Sequence, residues 1–558
     1  MTAIAKLGPS ERDDAVDRLD QEQFDVVVIG GGITGVGSAL DAASRGLRTA
    51  LIERDDFAAG TSSTSTKLVH GGLRYLEKLD FGLVREALSE RALMLEELAP
   101  HLVHPVPFLY PLKGKAWERP YVGAGVALYD TMGTGRRGVP LHRHFTRKGA
   151  LELAPDLRED QLVGAIRYYD AQMDDARHTM MVARTAAHHG AVVVTRVRAT
   201  GLVTEGERVT GVLATDEESD RELRIDAARV INATGPWTDE IQAMAGEPEV
   251  KVRPSKGVHF LVPRDRLNLH TGLILRTEKS VLFVVPWGNH WIIGTTDTDW
   301  QHGVDEVVPT RADVDYLLER LNPMLRHPIT KDDITGVFAG LRPLLAATEG
   351  STAELSREHS VLETAPGLIT IGGGKYTTYR VMAEDAVDKA VEGLDRDVPP
   401  SPTRHLPLLG AIGYDAALAD RERIAREASL HVSWIDHLLA RQGDLYDEVL
   451  ALGDERSDLL QPLEGAPGYL RAEIAYAVSH EGARDLVDVL SRRTRIRIQM
   501  PDRGVAAAEP TAAIMAEILG WDDERRDREV AAYREGVEAQ RRAEEAATDD
   551  EALAALRE

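Results

Sequence analysis

Residues 25–53 read DVVVIGGGITGVGSALDAASRGLRTALIE. Residues 26–29 are a short apolar run rich in β-branched side chains, the pattern of a strand buried on both faces. The run ends in the spacing Gly30-x-Gly32-x-x-Gly35. Gly30 permits a sharp turn, Gly32 lets backbone approach a pyrophosphate, and Gly35 lets the next helix pack on the strand, so an anion sits on that helix's positive end. Helix-compatible residues follow over 36–44, and Gly46 stops them. A second strand over 49–52 delivers Glu53 about twenty residues beyond the glycines, where a carboxylate accepts hydrogen bonds from a ribose diol. This strand, turn, helix, strand and acid predict a dinucleotide site in an α/β domain.

The chain supplies its own control. Residues 133–138, GTGRRG, fit the same glycine spacing, but no clean strand precedes them and Pro140 falls where a helix needs its early turns. With 558 residues, two or three domains are expected. The absence of cysteine excludes disulfides, thiolate-bound clusters and thiol nucleophiles, so redox chemistry must belong to an organic cofactor; no metal site is expected. A net charge of −25 argues against nucleic-acid binding. Residues 1–23 carry no apolar leader, and no stretch reaches the ~18 apolar residues of a membrane span, so a cytoplasmic protein is expected.

Further along, residues 60–77, GTSSTSTKLVHGGLRYLE, concentrate hydroxyls, a lysine, a histidine and an arginine, which suits a loop around a cofactor with His70 and Arg74 facing a substrate. Residues 81–98 read as an amphipathic scaffold helix. Residues 101–137 read as an irregular, loop-rich cap. Their aromatic Trp117 and Tyr121 beside Lys113, Lys115, Arg119, Arg136 and Arg137 also suit an interfacial membrane contact. A helix over 176–189 and a strand over 191–198 follow, and the strand over 228–237 breaks at Ala233-Thr234-Gly235. Runs at 258–262, 281–286 and 291–295 predict antiparallel strands of a separate substrate-facing sheet, near Lys256, His259, Thr295, Thr296 and Asp297. Residues 336–344 and 368–380 read as the return to the cofactor domain. Residues 397–403, DVPPSPT, read as a linker to a helical domain without catalytic residues, and 524–558 as a solvated helix or frayed tail.

The pieces TSSTSTKLVHGGLRYLE (61–77), INATGPWTD (231–239), PSKGVHF (254–260), FVVPWGNHWIIGTTDTD (283–299), AGLRPLL (339–345) and GGGKYTTYR (372–380), in this order after the opening unit, closely resemble the FAD-dependent sn-glycerol-3-phosphate dehydrogenases. The resemblance runs from about 25 to about 497 and leaves the segments before 25 and after 520 uncovered. It implies an α/β protein with a Rossmann-like FAD-binding domain of the glutathione-reductase and D-amino-acid-oxidase type, an antiparallel-sheet substrate domain and an all-α C-terminal domain. The expected boundaries are an extension over 1–24, an oxidoreductase domain over 25–397, a helical domain over 404–520 and a charged tail over 521–558. Within the second, FAD segments at 25–100, 170–250 and 335–397 alternate with cap segments at 101–169 and 251–334.

The resemblance further implies non-covalent FAD, oxidation of glycerol 3-phosphate to dihydroxyacetone phosphate, and electrons passed to a membrane quinone from a peripheral position on the inner membrane face. A homodimer is left open. Around the opening unit the implied cofactor residues are Ile29, Gly30, Gly32, Ile33, Thr34, Gly35, Glu53 and Arg54. From the hydroxyl-rich segment come Thr61, Ser62, Ser63, Lys67, Leu68, His70 and Gly71. Val197, Ala233, Thr234, Gly235 and Trp237 follow, then Gly340, Arg342, Gly373, Gly374, Lys375, Tyr376 and Thr377. Arg74, Tyr75, Lys256, Arg342, Arg357 and Lys375 are the implied substrate residues, because a phosphate dianion needs forked or clustered cations in an acidic chain. His70 or His259 is the expected base, with Arg342 and Lys375 also at the reacting centre, Lys375 against charge on reduced flavin. Two alternatives stay open: a glycerol-3-phosphate oxidase using dioxygen, and a flavin-containing sensor whose partner module is the helical region.

Overall fold

The computed structural model describes residues 4–78, 80–114, 117–132, 138–246, 249–278, 281–346 and 358–558, with the side chains of Arg74, Glu77, Lys78 and Glu455 excepted. The opening unit forms as expected. Strand Phe24–Ile29 lies parallel between Thr49–Glu53 and Arg221–Asn232; Val192–Thr195 extends one side and Leu368–Gly373 the other, and His359–Ala365 adds an antiparallel edge. Val26, Val27 and Val28 are fully buried because both faces of the sheet are covered. Helices Ile33–Ser44, Asp175–His188 and Tyr379–Val391 pack on one face. The meander Val197–Glu205, Arg208–Asp216 and Arg221–Asn232 packs on the other together with helix Pro9–Gln21. Residues 9–21 are therefore a layer of this domain rather than an extension: Val16 and Leu19 are buried there, and Arg12 donates to Asp216 at 2.5 Å.

Among the described residues the second sheet has ten strands, including the expected antiparallel set Val252–Pro263, His290–Gly294 and Val281–Trp287. Two segments depart from the sequence reading. Residues 104–112 are a central strand, paired along its length with Gly164–Gln172, and Phe108 and Leu109 are fully buried. Pro105, Pro107 and Pro111 occupy alternating positions, so their missing N–H groups fall on one side of the strand, and on its second side only two residues pair, with Gly272–Arg276. Strand Gly336–Leu345, expected in the cofactor domain, instead runs antiparallel along Val252–Pro263 and places Arg342 opposite Ser255.

The C-terminal region has its own core, built mainly from helices Arg471–Ser479, Val505–Leu519 and Asp523–Glu544, and contains one hairpin, Pro462–Leu463 with Ala466–Leu470. It is bolted to the cofactor domain by buried ion pairs: Arg492 and Arg493 with Asp56, Arg177 with Glu481, and Arg495 with Asp174 and Asp175. The tail, expected as a solvated helix or a frayed end, is helical and packed. Helix Asp523–Glu544 buries Val530, Tyr533 and Val537, and helix Asp549–Arg557 packs Ala552 and Leu553 against Trp300, Val308 and Leu341 of the second sheet's region.

Candidate active site

A cavity of about 1090 Å³ lies between the two sheets. One end is the glycine turn. Gly30 sits at φ +113°, and a Cβ there would come within 2.7 Å of the Ala233 carbonyl; one at Gly35 would run into the Gly30 carbonyl. Gly32 opens toward the cavity, where a Cβ would meet Ser62 Oγ at 3.3 Å, and the Ile33 amide donates to that Oγ at 2.9 Å. Glu53 accepts from the amides of Gly31 at 2.5 Å and Asp55 at 2.8 Å, yet burial pushes its carboxyl up to about 7. Ala233, Thr234, Gly235, Val197 and Trp237 form the adjoining wall, with Arg54 stacked 4.6 Å from the Trp237 ring centroid.

The other end gathers the polar groups. Arg342 donates to Thr295 Oγ1 at 2.9 Å, its guanidinium fills the space where a Cβ on Gly257 would lie, and one of its nitrogens is 3.9 Å from Asp297 Oδ1. Lys375 follows Gly373 and Gly374, both at positive φ, and its ammonium lies 3.9 Å over the Tyr75 ring. His70 lines the same space; its amide donates to Thr377 Oγ1 at 3.1 Å. His259 contacts Thr66 Oγ1 through Nε2 at 2.8 Å, stacks on Phe338 with centroids 4.9 Å apart, and leaves Nδ1 without a hydrogen-bond partner. Burial first, then the Arg342 and Lys67 cations, hold its pKa well below the ordinary imidazole value, so the ring is neutral near pH 7.

Behind this wall the loop 61–67 is fastened from two sides. Lys67 is wholly buried, donates to Ser63 O at 3.0 Å and Asp175 Oδ1 at 2.7 Å, and is drawn down to about 8 by burial and by Arg495. Ser65 also donates to Asp175, and Arg495 reaches Ser63 O at 3.3 Å. Thr61 Oγ1 donates to the Leu341 carbonyl at 2.6 Å.

Most residues singled out in the sequence thus line one cavity: Ile29, Gly30, Gly32, Ile33, Thr34, Glu53, Arg54, Thr61, Ser62, Leu68, His70, Tyr75, Gly340, Arg342, Gly373, Gly374, Lys375, Tyr376 and Thr377 among them. Five do not. Gly35 is a packing position, Ser63 and Lys67 lie behind the loop, and Gly71 faces Leu88 while its amide donates to Tyr129. Lys256, expected on the substrate, is 1% exposed and ion-paired with Asp313 at 2.6 Å and with Asp549, so it is a structural cation. Arg357 and the Arg74 side chain, like residues 133–137 of the second glycine motif, lie outside the described residues. Sequence reading missed Thr66, Phe338, Asp175 and Arg495. The first was visible as one hydroxyl among many, and the others meet the site only across the fold.

The residues present suit a flavin dinucleotide: a glycine cradle that any Cβ would fill, an acid at the end of the second strand, and a second glycine turn carrying a cation at the far end. Comparison with known proteins agrees. A family model described as FAD dependent oxidoreductase matches residues 25–380, and one described as C-terminal domain of alpha-glycerophosphate oxidase matches 401–526. Fold and site are those of an FAD-dependent oxidoreductase. Over 535 residues the chain is 55% identical to the glycerol-3-phosphate dehydrogenase of Mycobacterium leprae (strain TN), with 96% of this chain and 91% of the relative covered. It is 37% identical to the mitochondrial glycerol-3-phosphate dehydrogenase of Rattus norvegicus, over 94% of this chain and 74% of that protein. A solved glycerol-3-phosphate dehydrogenase from Bacillus halodurans, complexed with FAD, superposes with a TM-score of 0.79 at 30% identity, over 95% of this chain and 98% of that one. The chain belongs to the glycerol-3-phosphate dehydrogenase family. The similarity reaches further toward the termini than the motifs alone suggested.

Proposed function

We propose that the protein oxidises sn-glycerol 3-phosphate to dihydroxyacetone phosphate and delivers the electrons to a membrane quinone. The observation that carries this reading is the neutral, buried His259 facing the same cavity as Arg342 and Lys375. Arg342 and Lys375 hold the phosphate dianion, Arg342 through its fork. The His259 ring, held through Nε2 by Thr66 Oγ1, accepts the proton of the secondary hydroxyl as that hydroxyl becomes a carbonyl. Bound FAD supplies the acceptor for the hydride that leaves the same carbon. The imidazolium so formed gives its proton back to solvent between turnovers.

The membrane part of the proposal rests on helix Glu118–Met132 and its approach, where Trp117, Tyr121 and Leu128 are 56%, 49% and 41% exposed while Tyr121 and Leu128 also line the cavity. Among the described residues no helix is long and apolar enough to cross a membrane, so the contact is peripheral. The test is anaerobic mixing with glycerol 3-phosphate while following flavin absorbance, then addition of a quinone analogue. Bleaching followed by recovery supports the reading; no bleaching removes it. One observation favours dioxygen as the acceptor instead: residues 401–526 match the C-terminal domain of an alpha-glycerophosphate oxidase. Stoichiometric peroxide formation with no quinone dependence would select that reading.

A further inference from the structure

At the cavity end away from His259, a carboxylate from the second domain closes on the first. Asp305 accepts from the Arg54 guanidinium and from Trp237 Nε1, both at 2.8 Å. The Arg54 guanidinium lies over the Trp237 ring, and the same ring sits so close to Gly60 that a Cβ there would be 3.0 Å from it. Arg54, Trp237 and Asp305 all line the cavity beside Glu53.

Taken alone, Asp305 is a 65% exposed side chain on a loop, and an exposed ion pair contributes little because each partner must be immobilised to make it. Here the immobilisation is done beforehand by the end of the chain. Trp300 and Val308 flank the loop and are buried in one apolar cluster with Leu341, Ala543, Ala552 and Leu553. Arg557 donates to Glu306 at 2.8 Å, Asp550 lies 3.6 Å from His302, and the Arg311 amide donates to the Ala546 carbonyl at 3.0 Å. Lys256, buried between Asp313 and Asp549, fastens the start of helix Asp549–Arg557 to the sheet.

We propose that helix Asp549–Arg557 is a cofactor-retention element: by bracing the loop 300–308 it positions Asp305 on Arg54 and Trp237, and this triad closes the adenosine end of the FAD site. The proposal rests on the reading of Glu53 as the adenosine end. A loop ordered before binding loses less entropy when the cofactor is held, and it must be undocked before the cofactor can leave. This gives the acidic chain end a task that neither its composition nor its periodicity indicates.

The experiment follows FAD release from the holoprotein after dilution, by the rise in flavin fluorescence, in Asp305→Ala, Leu553→Ala and the double variant. Each single change is expected to speed release on the order of tenfold. The double variant should be no faster than Asp305→Ala, because the tail acts through that residue. The melting temperature of cofactor-free Asp305→Ala should match the parent, which separates retention from general stability. Glu53→Gln is the control on the underlying reading. If it leaves release unchanged, the adenosine end has been misassigned. If it speeds release while Asp305→Ala does not, the triad has no retention role and the proposal is overturned, as it is if Leu553→Ala and Asp305→Ala add independently. Should Leu553→Ala fail to fold, Arg557→Ala with Asp550→Ala, two surface changes, is scored the same way.

Discussion

In the proposed reading Arg342 is the phosphate-binding side chain, and its surroundings hold it in place. Its strand position opposite Ser255, the missing side chain at Gly257 and the Thr295 hydroxyl fix the guanidinium, so little rotamer entropy remains to be lost on binding. Arg342→Ala removes a charge-assisted contact worth about 1.5 to 3 kcal/mol. The Michaelis constant for glycerol 3-phosphate is therefore expected to rise at least tenfold with flavin content retained, measured by steady-state kinetics and by absorbance of the purified protein. His259 is prepared differently. Its neutral state comes from burial and from the Arg342 and Lys67 cations, all of which disfavour the imidazolium; in the proposed role as base, a dianionic substrate in the cavity would offset those cations and raise its proton affinity.

At the scale of elements, the loop 61–67 is held by groups that belong to neither of its own flanks. Asp175 at the start of helix Asp175–His188 collects Ser65, Lys67 and Arg495, and Arg495 comes from the C-terminal region. Arg495→Met leaves Asp174 and Asp175 with reduced compensation inside the protein, a cost of about 3 kcal/mol, and leaves the Ser63 carbonyl with Lys67 as its remaining donor of the two. A lower urea midpoint and partial loss of FAD on gel filtration are the expected outcomes. Unchanged values for both would show that the loop stands without the C-terminal region. Helix Glu118–Met132 gives the second element-scale expectation. The parent should float with anionic liposomes, and Trp117→Ser with Tyr121→Ser should float several-fold less while binding the same amount of FAD. Equal flotation would move the contact to another surface.

Across the whole molecule, buried histidines set the response to acid. Burial holds His101 near 3 and His178 and His480 near 4, and His259 is also far below its ordinary value. For a base whose folded pKa is depressed, the native state disfavours the charged form, so stability is complete above the unfolded value of about 6.5 and falls as pH drops toward the folded values. Glu53, raised to about 7 by burial, and Asp488, raised by burial and by the neighbouring Asp485 and Asp56, act in the opposite sense: their contribution is complete below the ordinary carboxylate range and is lost as pH rises through the folded values. Other groups pull both ways, with further lowered histidines such as His104 and His290 and further raised carboxyls such as Asp41, Asp170 and Glu544, so the histidine share is isolated by comparing variants. Between pH 7 and pH 5 the thermal midpoint should contain a fall that depends on the buried histidines. His101→Leu should flatten that fall, because neither ring nitrogen of His101 has a partner to lose.

Local chemistry is legible along the chain. The turn at Gly30, the strand before it and the acid after it lie within thirty residues, and their meaning follows from backbone sterics and hydrogen bonding at short range. The residues of the hydroxyl-rich loop and of the Lys375 turn were legible for the same reason, each being a glycine-bearing segment that a simple loop would not need. Tertiary structure decided which segments face each other. Residues 104–112 look irregular because three prolines suppress strand propensity, yet they fill a central place because their apolar residues meet the second sheet's core. Strand Gly336–Leu345 could have joined either sheet, since period-two alternation names a face but not a neighbour. Lys256 resembled a phosphate ligand until Asp313 and Asp549 were brought to it from fifty-seven and 293 residues away. A buried cation is compensated by whatever carboxylate the fold delivers, and no spacing along the chain records that.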